Sequence, residues 1–507
     1  MNAGAGRRGF DLAVLALVAV VLGLPLFSGR VLAGHDVRTY LMYTEATAAN
    51  AREGTFLPAW ASELNGGYGG PGLLFYPPLV NAIHAVGSLS GLPAALLLSL
   101  LAVAAHFLSG VTARWWLRAS GDADAALPAA IVYMAAPYRL VDLYERTDLA
   151  EHWAFVFPPL VLGVAATSLA PAKKAAISAL ALAALALANL PLAILFGALF
   201  CVWYLHPAGP SGSRAPLALG AALGAGLALF ALVPQALTGR WVATEMWYSG
   251  ESRLFRPSEN TLVHHGGLND PFATRVSWSV VLTVALLVAA FVLARRDELG
   301  RKLRSLWFLA GAAAFLFTLP PAGPLWDATP VLQKLQFPWR LAAPMTLALA
   351  GLAASVPRTA RLALAAGTLF CALPFLGRLT TPLESAVSPR PAKAALGTGI
   401  DERALVDTAA LADNAWVRNP KLEDVWYLPR TLRPPLFNEI YGDGRMVYPT
   451  LGKQPAASIS EPAAPARVVS WTRTYREVRL ASPLAGAWVF RALYFPGFAV
   501  TVDGHPA

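Results

Sequence analysis

Ala33-Gly34-His35-Asp36-Val37-Arg38-Thr39-Tyr40 follows the first long apolar run of the chain, 10–28, and opens a polar and aromatic stretch that continues to about residue 92. An apolar run of that length crosses about 30 Å of hydrocarbon, so the octapeptide lies where the chain leaves the bilayer. A carboxylate at that boundary can meet both water-borne and lipid-borne groups, which makes Asp36 the first candidate for chemistry. The competing reading is an N-cap for an amphipathic helix over 37–51, because Asp is a favoured cap.

Working outward, composition sets the class. Of 507 residues, 56% are hydrophobic and only 14% charged, and the mean hydropathy is +0.50. Such a chain is a polytopic membrane protein. The net charge of +10 does not indicate nucleic acid, because Lys and Arg fall in short clusters between apolar runs rather than on one basic face. Cys201 and Cys371 both lie inside apolar runs, so no disulfide framework and no thiol nucleophile is implied. Arg7-Arg8 before the first run fits a signal peptide or a retained helix, and the length of the run and the spans after it favour retention.

Further apolar runs fall at 93–117, 124–138, 152–170, 174–190, 191–205, 215–235, 276–294, 303–319, 340–356 and 360–377, giving roughly eleven crossings in all. With the N-terminus inside, the cytoplasmic loops carry Arg114 and Arg118, Lys173 and Lys174, Arg214, the 295–304 cluster, and Arg358 with Arg361, as the positive-inside rule requires. Segments 29–92, 138–151, 236–275 and 320–339 are then outside. Run 79–92 is read as a juxtamembrane helix, since making it a span would invert the basic loops. The expected fold is an all-α multi-pass domain over 1–377, with alanine-rich helices suited to close packing. A small extracytoplasmic β-sandwich is expected over 378–507. Segments 466–480 and 488–502 alternate like half-buried strands, and Val502-Asp503-Gly504 reads as a hairpin turn. No returning strand is expected after it, so the sheet reads as incomplete.

Four outer stretches offer chemistry. The first holds Asp36, Arg38, Glu45, Arg52 and Glu53, then the glycine-rich 65–72, whose spacing matches no phosphate loop and reads as a connector. The second, 138–153, packs Asp142, Glu145, Asp148 and Glu151 with Arg139, Arg146 and His152 at a helix mouth, where unpaired charge is costly. On a continuous helix Glu145, Asp148 and His152 share a face. Asp142, Glu145, Asp148 and His152 are therefore a candidate set for Mg2+ or Mn2+; an internal salt network through Arg139 and Arg146 fits equally. In the third, Glu259, His264, His265 and Asp270 are zinc-type residues, but adjacent histidines lack zincin spacing and favour an ordinary loop. The fourth, 334–340, places Lys334 and Arg340 beside Trp339 at headgroup level, suited to forking onto a phosphate or to plain interfacial anchoring.

The order of these parts resembles the GT-C superfamily of membrane glycosyltransferases. Three stretches look like the bacterial YfhO-type, "6-pyruvoyl-tetrahydropterin synthase-related" membrane proteins: 144–154 with Pro158-Pro159, 335–340, and 494–498 with 502–504. The pterin phrase is an inherited label, and the zinc-binding histidine set of a soluble pterin enzyme is absent. The resemblance implies a cytoplasmic-membrane enzyme that moves a hexosyl or pentosyl unit from a polyprenyl-phosphate-linked donor to an extracytoplasmic envelope acceptor, without a nucleotide or redox cofactor. By position it makes Asp36 the acceptor-side base, Arg146 and Glu151 the second-loop pair, and Arg340 the group facing the lipid phosphate, with Lys334, Arg38 and Asp148 nearby. The alternative is a non-catalytic protein that transports or scaffolds an envelope lipid or polysaccharide, or a relative that kept the fold and lost activity. Broken mid-membrane helices in an inverted repeat would mark transport, and no such symmetry is evident in the sequence.

Overall fold

The computed structural model describes residues 2–27, 31–32, 34, 36–61, 70–121, 123–242, 256–262, 271–294, 298–376, 380–381, 466–471, 476–480, 501–502 and 505–506. It is overwhelmingly helical, and the chain is a multi-pass membrane protein. Among the described residues seven helices are long and apolar enough to cross a bilayer: Gly6–Phe27, Leu96–Ala119, Leu149–Ala166, Pro171–Ala188, Arg214–Thr238, Phe272–Leu293 and Arg358–Leu376. Arg304–Leu316 and Pro320–Ala328 form an eighth only as a pair bent by 76°.

The count is lower than the roughly eleven expected, and proline explains part of the difference. Run 124–138 yields only the 10-residue helix Ala126–Ala135, about 15 Å long. Ala136 beside Pro137 takes ψ 132°, since a residue preceding proline is pushed out of the helical region. Leu190–Leu205 has 16 residues and Ala342–Ala353 has 12. All twelve residues of Ala342–Ala353 are buried, which places this predominantly apolar helix inside the bundle and not at its lipid face.

The chain divides into two compact units. The first comprises Met1–Arg38, Ser90–Phe230 and Leu254–Ala386. In it Ala94–Ala119 packs against Ala126–Ala135 and Phe157–Ala166, while Ala342–Ala353 is flanked by Glu298–Leu316 and Pro271–Leu293. Gly220 and Gly224, four apart, lie against Pro171–Ala188 so closely that a Cβ on either would stand 2.8 Å from the carbonyl oxygen of Ala175 or Ala179. This is the small-residue packing expected of alanine-rich membrane helices. Asp11 of the first helix accepts from Arg114 Nε at 2.8 Å, a buried pair at the basic end. Val31–Leu32 pairs antiparallel with Thr380–Thr381.

The second unit comprises Thr39–Leu89, Ala231–Arg253 and Val387–Ala507. The helix expected over 37–51 forms as Val37–Arg52, and run 79–92 forms the 11-residue helix Pro78–Ser88, too short to span. Tyr43, Ala46, Ala61 and Leu73 make a small core beside Tyr76. In the C-terminal part, Ala466–Trp471 pairs antiparallel with Arg476–Leu480, and Thr501–Val502 with His505–Pro506. The second pair corrects one expectation, because a short strand does return after the hairpin signal. The rest of the expected sandwich lies outside the described residues.

Candidate active site

The site forms where the second outer stretch fails to be one helix. Pro137–Val141 runs into a single π-helical turn, Asp142–Arg146, and Thr147 closes it at φ 55°. Left-handed backbone at a β-branched residue costs on the order of 1–3 kcal/mol and persists only where surroundings impose it. Asp148 then caps the helix Leu149–Ala154, its Oδ1 accepting from the Glu151 amide at 2.9 Å. This Asp-x-x-Glu start is a capping-box pattern.

The break turns three carboxylates onto one guanidinium. Arg146 Nη1 donates to Asp142 Oδ1 at 2.7 Å and to Glu151 Oε2, while Nη2 donates to Asp148 Oδ2 at 2.7 Å. Arg340 arrives from far along the chain on the turn Pro338–Leu341. Its Nε donates to Glu151 Oε2 at 3.3 Å, and its Nη1 donates to Leu335 O at 3.0 Å and Gln336 Oε1 at 3.2 Å. Its Nη2 makes only a 3.6 Å ion-pair contact with Asp148 among the described residues. Tyr138 donates its hydroxyl to Glu151 Oε1 at 2.9 Å. Asp142 and Glu151 are 0% exposed, Arg146 3% and Arg340 6%, so these charges must neutralise one another.

Aromatic rings cover the pair of arginines. Phe337 stacks on Trp339 at 4.6 Å. The Arg146 guanidinium carbon lies 4.8 Å from the Trp339 ring centre, and that of Arg340 lies 5.0 Å from Phe337, both within cation–π range. Gln336, whose side-chain oxygen accepts from Arg340, also holds a left-handed φ of 65°.

Asp36 reaches this cluster through its backbone, its amide donating to Arg146 O at 2.9 Å. Gly34 makes that approach feasible: a Cβ there would overlap the Thr147 side chain and come within 2.8 Å of the Arg146 carbonyl carbon. Gly34→Ala should therefore displace Asp36. The expected result is a lowered thermal midpoint together with a drop in transfer, read in one purified sample. Asp36 also stands at the N-cap position of Val37–Arg52, so both roles foreseen for it remain in play.

The electrostatics follow from burial. Burial, reinforced by Asp148 and opposed by Arg146 and Arg340, pushes the half-buried Asp36 carboxyl up to about 7. Burial and then Glu151 hold Asp142 well above the usual carboxylate range. Burial would raise Asp148 too, but Arg146 and Arg340 hold it down at about 2.

The metal set expected from the sequence is corrected. Glu145 turns away to Arg275 Nε at 2.7 Å, and the His152 ring stacks on His106 at 5.2 Å. The helix break is the reason, because it destroys the shared face on which that set depended. Arg139 forms no ion pair with these acids among the described residues; it lies over the Tyr133 and Phe155 rings at 4.9 and 4.6 Å. The carboxylates that do converge are Asp142, Asp148 and Glu151, with ligand atoms within 4.8 Å of one another. The cation between them is the Arg146 guanidinium, which bonds all three. A divalent ion would have to displace it, so this arrangement does not fit a resident metal.

No protein-family profile and no curated protein matches the chain. Solved structures do. The arabinofuranosyltransferase AftD from Mycobacteria is 20% identical with a TM-score of 0.45, over 72% of this chain and 26% of that one. The Archaeoglobus fulgidus oligosaccharyltransferase in the apo form is 14% identical with a TM-score of 0.43, over 87% of this chain and 60% of that one. ArnT from Cupriavidus metallidurans is 15% identical with a TM-score of 0.36, over 73% of this chain and 78% of that one. These neighbours are GT-C glycosyltransferases. This chain spans about a quarter of the AftD chain.

Of the remaining expected site residues, Lys334 is exposed and is not among the side chains bonded into the cluster. The Arg38 side chain lies outside what the structure describes, as do His264, His265 and Asp270 of the zinc-type set. The residue types alone do not single out Tyr138, Gln336 and Arg275. Their only sequence signal is position, each lying within two residues of a proline or a span end.

Proposed function

We propose that this protein is a GT-C-type glycosyltransferase of the cytoplasmic membrane, acting at the outer face on a polyprenyl-phosphate-linked sugar. The observation that carries the reading is the bonding of Asp36, from the first outer stretch, to the same Arg146 that gathers Asp142, Asp148 and Glu151 and neighbours Arg340. Strongly shifted titratable groups gather at functional sites, and burial pushes the Asp36 carboxyl up beside this cluster.

In this mechanism the acceptor hydroxyl gives its proton to the Asp36 carboxylate as its oxygen bonds to the anomeric carbon. The bond from that carbon to the lipid phosphate breaks, and the phosphate departs with the electron pair. Arg340 Nη2, which makes no hydrogen bond within the cluster, donates to the departing oxygen, while Arg146 fixes the acids that orient it. Preorganised donors in a water-poor site are worth more than the same donors in water. No step is routed through a metal, since Arg146 already holds the place between the three acids.

The test is a transfer assay with the full-length protein in liposomes, using a radiolabelled polyprenyl-phosphate sugar and a neutral glycan acceptor. Label should appear on the acceptor at a rate unchanged by EDTA. Intact donor after prolonged incubation would overturn the enzymatic reading and favour the scaffold or transport alternative, for which the complete internal pairing of Arg146 speaks. Loss of transfer on chelation would return the three acids to a metal site.

A further inference from the structure

We propose that Thr147 is a positioning residue for the base, its hydroxyl donating to the ionised Asp36 carboxylate during transfer; this rests on the glycosyltransferase reading. The starting observation is a mismatch between residue and backbone. Thr147 stands at φ 55° and ψ 37° where the π-helical turn ends, a conformation that glycine or asparagine adopts readily and a β-branched residue does not. The backbone bonds there do not call for threonine. The Thr147 amide donates to Asp142 O and its carbonyl accepts from the Leu149 amide at 3.0 Å, bonds that any residue with an amide proton makes.

The side chain is the second, independent observation. Thr147 is 2% exposed, and its Oγ1 is buried without a hydrogen-bond partner among the described residues. Buried threonines in regular helix place their hydroxyls on the carbonyl four residues back, Thr346 on Ala342 O at 2.9 Å and Thr368 on Leu364 O at 2.7 Å. Thr147, outside helical geometry, does not. Its unmet hydroxyl adds a desolvation cost to the backbone strain, and a partner acquired in the working state removes that cost.

Location names the partner. The Thr147 hydroxyl packs on Gly34, where even a Cβ would overlap it, and the preceding carbonyl, that of Arg146, accepts from the Asp36 amide at 2.9 Å. Residues 34 and 36 thus run alongside 146 and 147. Burial and the carboxylates of Asp148 and Glu151 oppose ionisation of Asp36, while Arg146 and Arg340 favour it. Both arginines have other commitments, Arg146 to three acids and Arg340 to Glu151, Leu335 O and Gln336. A neutral donor is what the charged carboxylate lacks. A hydrogen bond to the ionised form favours that form and fixes the direction of its lone pairs.

Infrared difference spectroscopy of the full-length protein in liposomes, titrated without substrate and referenced to Asp36→Asn, reads the Asp36 carboxyl directly. Thr147→Val keeps the branched shape and loses the donor, so the carboxyl should ionise about 1 pH unit higher than in wild type, and the rise of kcat with pH should move with it. At pH 7 kcat should then fall about fivefold with donor KM unchanged, because only the ionised base accepts a proton. Thr147→Ser, which keeps a hydroxyl, should restore both readings. Thr147→Gly, free of the left-handed strain, supplies the same comparison should the valine variant fail to fold. A titration and kcat profile unmoved by loss of the hydroxyl, or an equal shift in Thr147→Ser, overturns the role. A shifted titration in a protein that moves no sugar would leave the hydrogen bond standing and remove the enzymatic reading. Sugar transfer by wild type with an unmoved titration in the variants would do the reverse.

Discussion

Asp36→Asn is expected to lower sugar transfer by about 10²–10⁴-fold, the usual contribution of a positioned general base, while the protein still folds. The substitution separates the two roles open to this residue. Asn caps a helix about as well as Asp, so a residue that only caps Val37–Arg52 would tolerate the change with near-normal turnover. A base would not, because a carboxamide cannot take the proton. The wild-type rate should also rise with pH through about 7, the value to which burial pushes this carboxyl, since only the ionised form accepts a proton.

Stability moves in the opposite direction. The folded carboxyl binds its proton more tightly than the unfolded chain, in which it titrates near 4. The folded state therefore holds an extra proton between about pH 4 and pH 7, and its stability falls as pH rises across that window. Asn abolishes this dependence. Its thermal midpoint should match wild type at pH 5 and exceed it at pH 8, where wild type must bury a charge. Normal turnover in the variant, or equal midpoints at both pH values, would remove Asp36 from the mechanism or from the cluster, respectively.

The sequence makes the ingredients of this site visible more readily than their arrangement. The density of charge over 138–153 and the 335–340 stretch can be read directly, because buried charge at a helix mouth is costly and rarely incidental. Periodicity groups Glu145 and His152 with Asp148 because it assumes an unbroken helix, and Thr147 at φ 55° breaks it. Asp148 and Glu151, three apart before an apolar run, carry the local mark of that new helix start. The fold shows the same limit. Hydropathy locates the long spans, but it cannot tell Ala342–Ala353, buried all round by neighbouring helices, from a helix that faces lipid. Nor can it show that Gly34 is small because Thr147 and Arg146 pass against it.

Arg146→Met is the second large expected effect, and it falls on stability. The substitution leaves Asp148 and Glu151 buried with Arg340 as their remaining cation, at 3.6 and 3.3 Å. Removing one partner from a buried ionic group is destabilising by about 3–5 kcal/mol, because uncompensated charge remains in a poorly polarisable interior. The loss should depend on pH with a definite sign. In wild type Asp148 titrates at about 2, below its unfolded value, so it stabilises the fold above about pH 4 and loses that contribution as pH falls through 2. Without Arg146 the burial that opposes ionisation prevails, the carboxyl rises above its unfolded value, and stability instead falls as pH increases. The gap to wild type should therefore be smallest near pH 2, open between pH 2 and 4, and be widest at pH 8. Adding Asp148→Asn and Glu151→Gln should recover most of the difference at pH 8, since neutral amides require no counter-ion. A single variant as stable as wild type at pH 8 would show that the three acids do not depend on Arg146. The charge balance that leaves Arg340 Nη2 free to meet a phosphate would then have to be assigned differently.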